Sequence, residues 1–278
     1  MIEIPIFKND DVEIFYILEG SGQPLVLVHG TNTKWQAWQF QIDFFRNKMK
    51  VIAFDNRGSG KSSRPDYPYT MDMYVEDLKG LLDHLKIQDK IHLCGMSMGG
   101  NIAQEFTLKY PELVKTLILL GTSCHLSSAQ FEQTMDVYKK NYANMSEEQI
   151  FQMVLKLIFT RNFQKELKKN PDLFELIRKD SNFIAYSNES PKIKDYVNQW
   201  EALRDFDLED RLEEITQPTL IAGASEDLNT PPSESRLLHE LIPNSELKIF
   251  NDFKHGFPIE IHQDVNNLIW SFLNNHMK

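Results

Sequence analysis

Cysteine is scarce in this chain: Cys94 and Cys124 are the only two among 278 residues. A disulfide framework is therefore not expected, and each thiol, placed at the end of an apolar run, reads as a small buried hydrophobe. No apolar run approaches the roughly 20 residues that a membrane helix needs, so no membrane partner is expected. The N-terminus, Met1-Ile2-Glu3-Ile4-Pro5, lacks a basic stretch followed by an apolar one, which makes the cytoplasm the expected location. Basic residues are in deficit, with 30 Lys and Arg against 40 Asp and Glu and a net charge of −10. A polyanion would meet repulsion before any local basic patch, so no nucleic-acid partner is expected. Repeats of solenoid period and His, Cys or Asp clusters at metal-ligand spacing are also lacking, and neither metal nor cofactor is expected.

What the chain does contain is an alternation of short apolar runs with amphipathic patterns. Ile2 to Phe7 and Val12 to Leu18 read as an opening antiparallel pair. Pro24 to Val28, Val51 to Phe54, Ile91 to Cys94, Leu117 to Leu120, Thr219 to Ala222 and Leu247 to Phe250 are almost continuously apolar, as strands covered on both faces should be. Between them, apolar residues recur every three or four positions, as in Val75, Leu78, Leu81, Leu82 and Leu85. The expectation is an α/β fold with a mainly parallel central sheet flanked by helices. The stretch 123–210 breaks the alternation with consecutive helical patterns and reads as an inserted helical cap. The catalytic domain would then comprise residues 1–122 and 211–278.

The strongest local signal is Gly95-Met96-Ser97-Met98-Gly99-Gly100, which follows one strand directly and opens a helical pattern. A strand turning sharply into a helix forces its central residue into a strained conformation and needs glycines on either side, which makes Ser97 a candidate nucleophile. The phosphate-loop reading of Gly58-Ser59-Gly60-Lys61-Ser62 fails, because Asp55 stands where its first glycine belongs.

A serine hydroxyl needs a base to take its proton. His255 is the best placed, in the loop between the last strand and the last helix. His92 lies in a strand, His84 and His239 in helical patterns, and His276 in the tail. The base needs an acid, for which Asp227 follows the strand at 219–222 and Glu226 is the neighbouring rival. The order Ser, Asp, His is that of one hydrolase class and of neither major serine-protease arrangement. Oxyanion donors would be the backbone N–H groups of Met98 and of Thr31, in the loop His29-Gly30-Thr31-Asn32, with His29 supporting that turn. Trp35, Met96 and Phe257 are candidate substrate contacts, with Trp38 and Met98 beside them.

With these residues in hand, the chain resembles the α/β-hydrolase superfamily over nearly its whole length. Asp55-Asn56-Arg57-Gly58-Ser59-Gly60-Lys61-Ser62 is similar to that superfamily's D-x-R-G-x-G-x-S loop, and Gly223-Ala224-Ser225-Glu226-Asp227 to its acid loop. The nearest resemblance is to small carboxylesterases, 3-oxoadipate enol-lactonases and carbon–carbon bond hydrolases, with perhydrolases and a lyase of menaquinone synthesis left open. Serine at position 97 argues against dehalogenases and epoxide hydrolases, which use aspartate there. The resemblance implies a small-molecule acyl substrate, an ester or lactone cleaved through an acyl-enzyme on Ser97, and allows a homodimer. A carbon–carbon hydrolase acting on a carboxylated metabolite would need a cation in the pocket, for which Arg57, Arg161 and Arg204 are candidates. A hydrolase-like protein that only binds its ligand is the third reading.

Overall fold

The computed structural model describes residues 5–9, 11–141, 144–180 and 193–277. Eight strands form one sheet: β1 (Ile6–Asn9), β2 (Val12–Glu19), β3 (Pro24–Val28), β4 (Lys50–Phe54), β5 (Ile91–Met96), β6 (Val114–Leu120), β7 (Thr219–Ala224) and β8 (Ser245–Phe250). Their spatial order is β1-β2-β4-β3-β5-β6-β7-β8, with β1–β2 and β2–β4 antiparallel and every other pair parallel. Among the described residues the first strand begins at Ile6. Pro5, which has no N–H to donate to a ladder, precedes it, and residues 2–4 lie outside the described residues.

β3 and β7 are buried at every position, which is why they read as unbroken apolar runs. Alternate residues serve opposite faces. Val26 and Val28 join the core under α2 (Met71–His84), α3 (Met98–Lys109) and α9 (Pro232–Leu241). Leu25 and Leu27 join the core under α1 (Gln39–Phe45) and α11 (His262–Asn275). Each fully buried Leu or Val contributes on the order of 2 kcal/mol. The two cysteines divide between these layers, Cys94 with the second and Cys124 with the first. Both thiols are buried and unpaired, and burial pushes Cys124 up to about 12 and raises Cys94 as well.

Between β6 and β7 run α4 (Ser128–Asp136), α5 (Glu147–Ile158), α6 (Arg161–Lys169), α7 (Pro171–Asp180) and α8 (Ile193–Glu201). Local chemistry starts these helices. Ser127 with Gln130 and Ser146 with Gln149 form reciprocal capping boxes, Thr160 accepts the Phe163 N–H, and Pro171 occupies a first-turn position. Their apolar stripes meet in small clusters, one of which, around Phe151, Leu155 and Phe159, includes Ile259 of α10 (Phe257–Glu260). That contact holds the helices over the carboxyl ends of β5, β6 and β7. Among the described residues no helix is long and apolar enough to cross a membrane.

Candidate active site

Ser97 stands between the last residue of β5 and the first of α3, with φ 54° and ψ −127°. A residue other than glycine is rare at such a positive φ, and the strain is held by what surrounds it. The Ser97 N–H donates to the Leu120 carbonyl (3.0 Å), and the Ser97 carbonyl accepts from the Gly100 N–H and from Thr122 Oγ1 (both 2.8 Å). The flanking glycines are needed for close approach: a Cβ on Gly95 would collide with the Gly99 carbonyl, and one on Gly99 with the Val28 carbonyl.

Asp227 follows β7 and is almost completely buried, whereas its neighbour Glu226 is exposed. The Asp227 carboxylate accepts the N–H groups of Asn229 (2.8 Å) and Thr230 (3.0 Å) on one oxygen. On the other it accepts Thr230 Oγ1 (2.8 Å) and His255 Nδ1 (2.7 Å). Burial pushes this carboxyl up, but the His255 imidazole and the Thr230 donors outweigh it and hold the carboxyl below its usual range. An ionised carboxylate only accepts, so Nδ1 of His255 carries the proton and Nε2 is left as the acceptor.

Ser97, Asn229, Thr230 and His255 line one cavity of about 590 Å³. Among the described residues Ser97 Oγ makes no hydrogen bond, so the link from hydroxyl to imidazole is open; such links commonly tighten only in the substrate complex. Thr31 and Met98 line the same cavity, and among the described residues neither backbone N–H is spent on another protein group. Met98 is the first residue of α3, where an N–H has no partner within the helix.

Both ring nitrogens of His29 are engaged in supporting a turn. His29 is buried, its Nε2 accepts the Asn56 N–H (3.0 Å), and its Nδ1 then donates to the Gly30 carbonyl (2.8 Å). Burial lowers its pKa, so the ring is neutral. Asp55 steadies the same corner by accepting the N–H groups of Trp35 (2.9 Å) and Lys61 (2.8 Å).

Three expected contacts are placed differently from one another. Met96 lines the cavity, as do Trp38 and Met98. Trp35 and Phe257 do not. Trp35, held at its backbone by Asp55, packs against the α1 and α11 side of the core. Phe257 is fully buried against Phe250, with ring centroids 5.5 Å apart, because the chain turns into the core directly after Gly256. The candidate cations are elsewhere too. Arg57 is buried in a two-pronged ion pair with Asp77 (2.6 and 2.8 Å), Arg204 is exposed and paired with Glu201 and Glu132, and Arg161 is an exposed first-turn residue.

Two parts of the site escaped the sequence. Thr230, three residues after the acid, donates to the carboxylate through its backbone and hydroxyl; the Asp-x-x-Thr spacing is a local turn signal that could have found it. The other is a brace between the histidine loop and the end of α5. The Gly256 N–H donates to the Ile158 carbonyl (2.8 Å), Lys254 Nζ to the Lys156 carbonyl (2.9 Å), and the Glu260 carboxylate accepts the Thr160 N–H (3.0 Å) and hydroxyl. No local signal marks these long-range pairs.

Residues 23–260 match the family described as alpha/beta hydrolase fold. The chain is 29% identical over 261 residues to 3-oxoadipate enol-lactonase 2 of Acinetobacter baylyi, covering 93% of this chain and 92% of that one. Among solved structures, the enol-lactonase from Burkholderia xenovorans LB400 superposes with a TM-score of 0.84 at 22% identity, over 97% of this chain and 100% of that one. A thermophilic esterase from Thermogutta terrifontis superposes with a TM-score of 0.83 at 26% identity, over 99% and 98%. With strand order, elbow and family match in agreement, the chain belongs to the α/β-hydrolase family.

Proposed function

We propose that this protein hydrolyses carboxylic esters or lactones through an acyl-enzyme on Ser97. The observation that carries the reading is the 2.7 Å pairing of His255 Nδ1 with Asp227 in a cavity that Ser97 also lines. In this mechanism Ser97 Oγ attacks the acyl carbonyl carbon while His255 Nε2 takes the hydroxyl proton. The N–H groups of Thr31 and Met98 stabilise the oxyanion, and collapse expels the alcohol, which receives its proton from His255. Water then attacks the acyl-serine with the same histidine as base, releasing the acid and restoring the hydroxyl. Asp227 keeps the imidazole in the required tautomer throughout.

The names and folds of the relatives support ester or lactone cleavage. The test is a fluorophosphonate probe together with turnover of p-nitrophenyl butyrate. The expected result is labelling and turnover by the parent protein and neither by a folded Ser97→Ala variant. A Ser97→Ala variant that keeps most of its turnover would overturn the role of Ser97, and a folded parent that neither labels nor turns over would favour a ligand-binding role.

A further inference from the structure

The cavity above Ser97 is closed on its far side by α4, α5, α7 and α8, and its wall has an unusual electrical character. Among the described residues, none that lines it is Lys, Arg, Asp or Glu. Its two imidazoles are accounted for, since His29 is neutral in the turn it supports and His255 presents an accepting Nε2. The rest is apolar, as with Phe151, Leu155 and Ile177, or polar without charge, as with Gln130, Gln133 and Thr134.

Among the described residues, several cations near the cavity are held by other partners. Arg57 is held by Asp77, Arg204 by Glu201 and Glu132, and Arg178, next to the cavity residue Ile177, by Glu148 and Glu175. Lys254 spends its ammonium on the Lys156 carbonyl. A carboxylate-bearing substrate drawn into this space would lose its hydration and find no counter-ion among the described residues that line it, which disfavours binding. The chain's net charge of −10 adds long-range repulsion of anions.

The mouth agrees with the wall. Leu157 and Leu228 both line the cavity and are among the exposed large apolar residues of the protein, at 40% and 76% exposure. Exposed leucines at an entrance select an uncharged, apolar visitor. The volume of about 590 Å³ lies within the ordinary range of small-molecule sites.

We infer that the substrate is an uncharged ester or lactone with a sizeable apolar acyl part, and that acidic substrates are rejected. This rests on the hydrolase reading above, and it separates the protein from its relative whose name denotes a 3-oxoadipate lactone, a carboxylated compound.

The experiment compares three esters of matched length: p-nitrophenyl heptanoate, p-nitrophenyl methyl adipate and p-nitrophenyl hydrogen adipate, at a pH where the last is ionised. The expected kcat/KM for the acid is at least 100-fold below that of either neutral ester. A Gln133→Arg substitution, at an exposed α4 position that borders the cavity, should raise the ratio of acid to neutral turnover at least tenfold. Ser97-dependent turnover of acid and neutral esters within threefold of each other overturns the charge inference and leaves the hydrolase reading standing. Absence of Ser97-dependent turnover with all three removes the hydrolase reading, and the inference with it.

Discussion

Gly256 donates its backbone N–H to the Ile158 carbonyl at 2.8 Å, which fastens the residue beside His255 to the last turn of α5. Four residues further on, at the end of α10, the same seam is closed by Glu260, which holds the N–H and hydroxyl of Thr160. His255, the proposed base, therefore sits on a loop that α5 and its neighbours help to aim. Replacing Glu260 with Ala should lower kcat about tenfold, with KM changed far less, and should cost about 2 kcal/mol of stability for a lost charge-assisted pair. Steady-state kinetics with p-nitrophenyl butyrate checks it: a change in KM alone would mean that the seam shapes the cavity and does not aim the imidazole.

Asp227→Asn should reduce kcat by roughly 10³ to 10⁴, because an amide no longer fixes the proton on Nδ1. Glu226→Gln, at an exposed position, should stay within about twofold of the parent. Circular dichroism would establish that both variants are folded. Equal losses in the two would reassign the acid.

The strained backbone at Ser97 predicts a gain on removal. Ser97→Gly relieves a conformation that costs on the order of 1–3 kcal/mol and adds back up to about 1 kcal/mol of unfolded-chain entropy, so the net stabilisation should be about 1 kcal/mol. A urea midpoint higher than the parent's, in an inactive protein, is the expected outcome. A lower midpoint would show that the lost side-chain contacts outweigh the strain.

Acid should destabilise the fold well before its carboxylates are neutralised. His92 is fully buried between Thr116 and Gln23, at 2.8 Å from each, and burial, helped by Lys115, lowers its pKa to about 4. The unfolded chain binds this proton near pH 6.5 and the native protein only near 4, so stability is complete above about 6.5 and declines as pH falls between those values. The difference amounts to about 3 kcal/mol for His92, and His29 shifts in the same direction. The depressed Asp227 carboxyl adds a further loss at lower pH. Urea midpoints between pH 7.5 and 4.5 should fall, and His92→Gln should flatten the slope; a pH-independent midpoint in the parent would refute the account.

The parts of the site that were legible in sequence are those that local geometry fixes. Ser97 needed the glycines that crowd it, and Asp227 and His255 each follow a strand of a sheet whose carboxyl edge gathers such loops. Trp35 and Phe257 were misplaced because both are one turn from cavity residues, and which face of a short turn looks inward depends on distant packing. Thr160 and Glu260 meet across 100 residues of chain, so no window of sequence contains their relationship. The lack of charge among the described cavity residues escaped for the same reason: α4 and α5 carry several charges, and only their packing keeps these out of the lining.

Cys94 and Cys124, buried in the layers on opposite sides of the sheet, give the molecule an internal pair of chemical reporters. An alkylating reagent reaches neither while the helices stay seated, so the rate at which each sulfur is capped clocks the opening of its own layer. Peeling of α1 and α11 would expose the first, and departure of α2, α3 and α9 the second. Two such clocks running at one rate would mean that the sheet loses both its coats together.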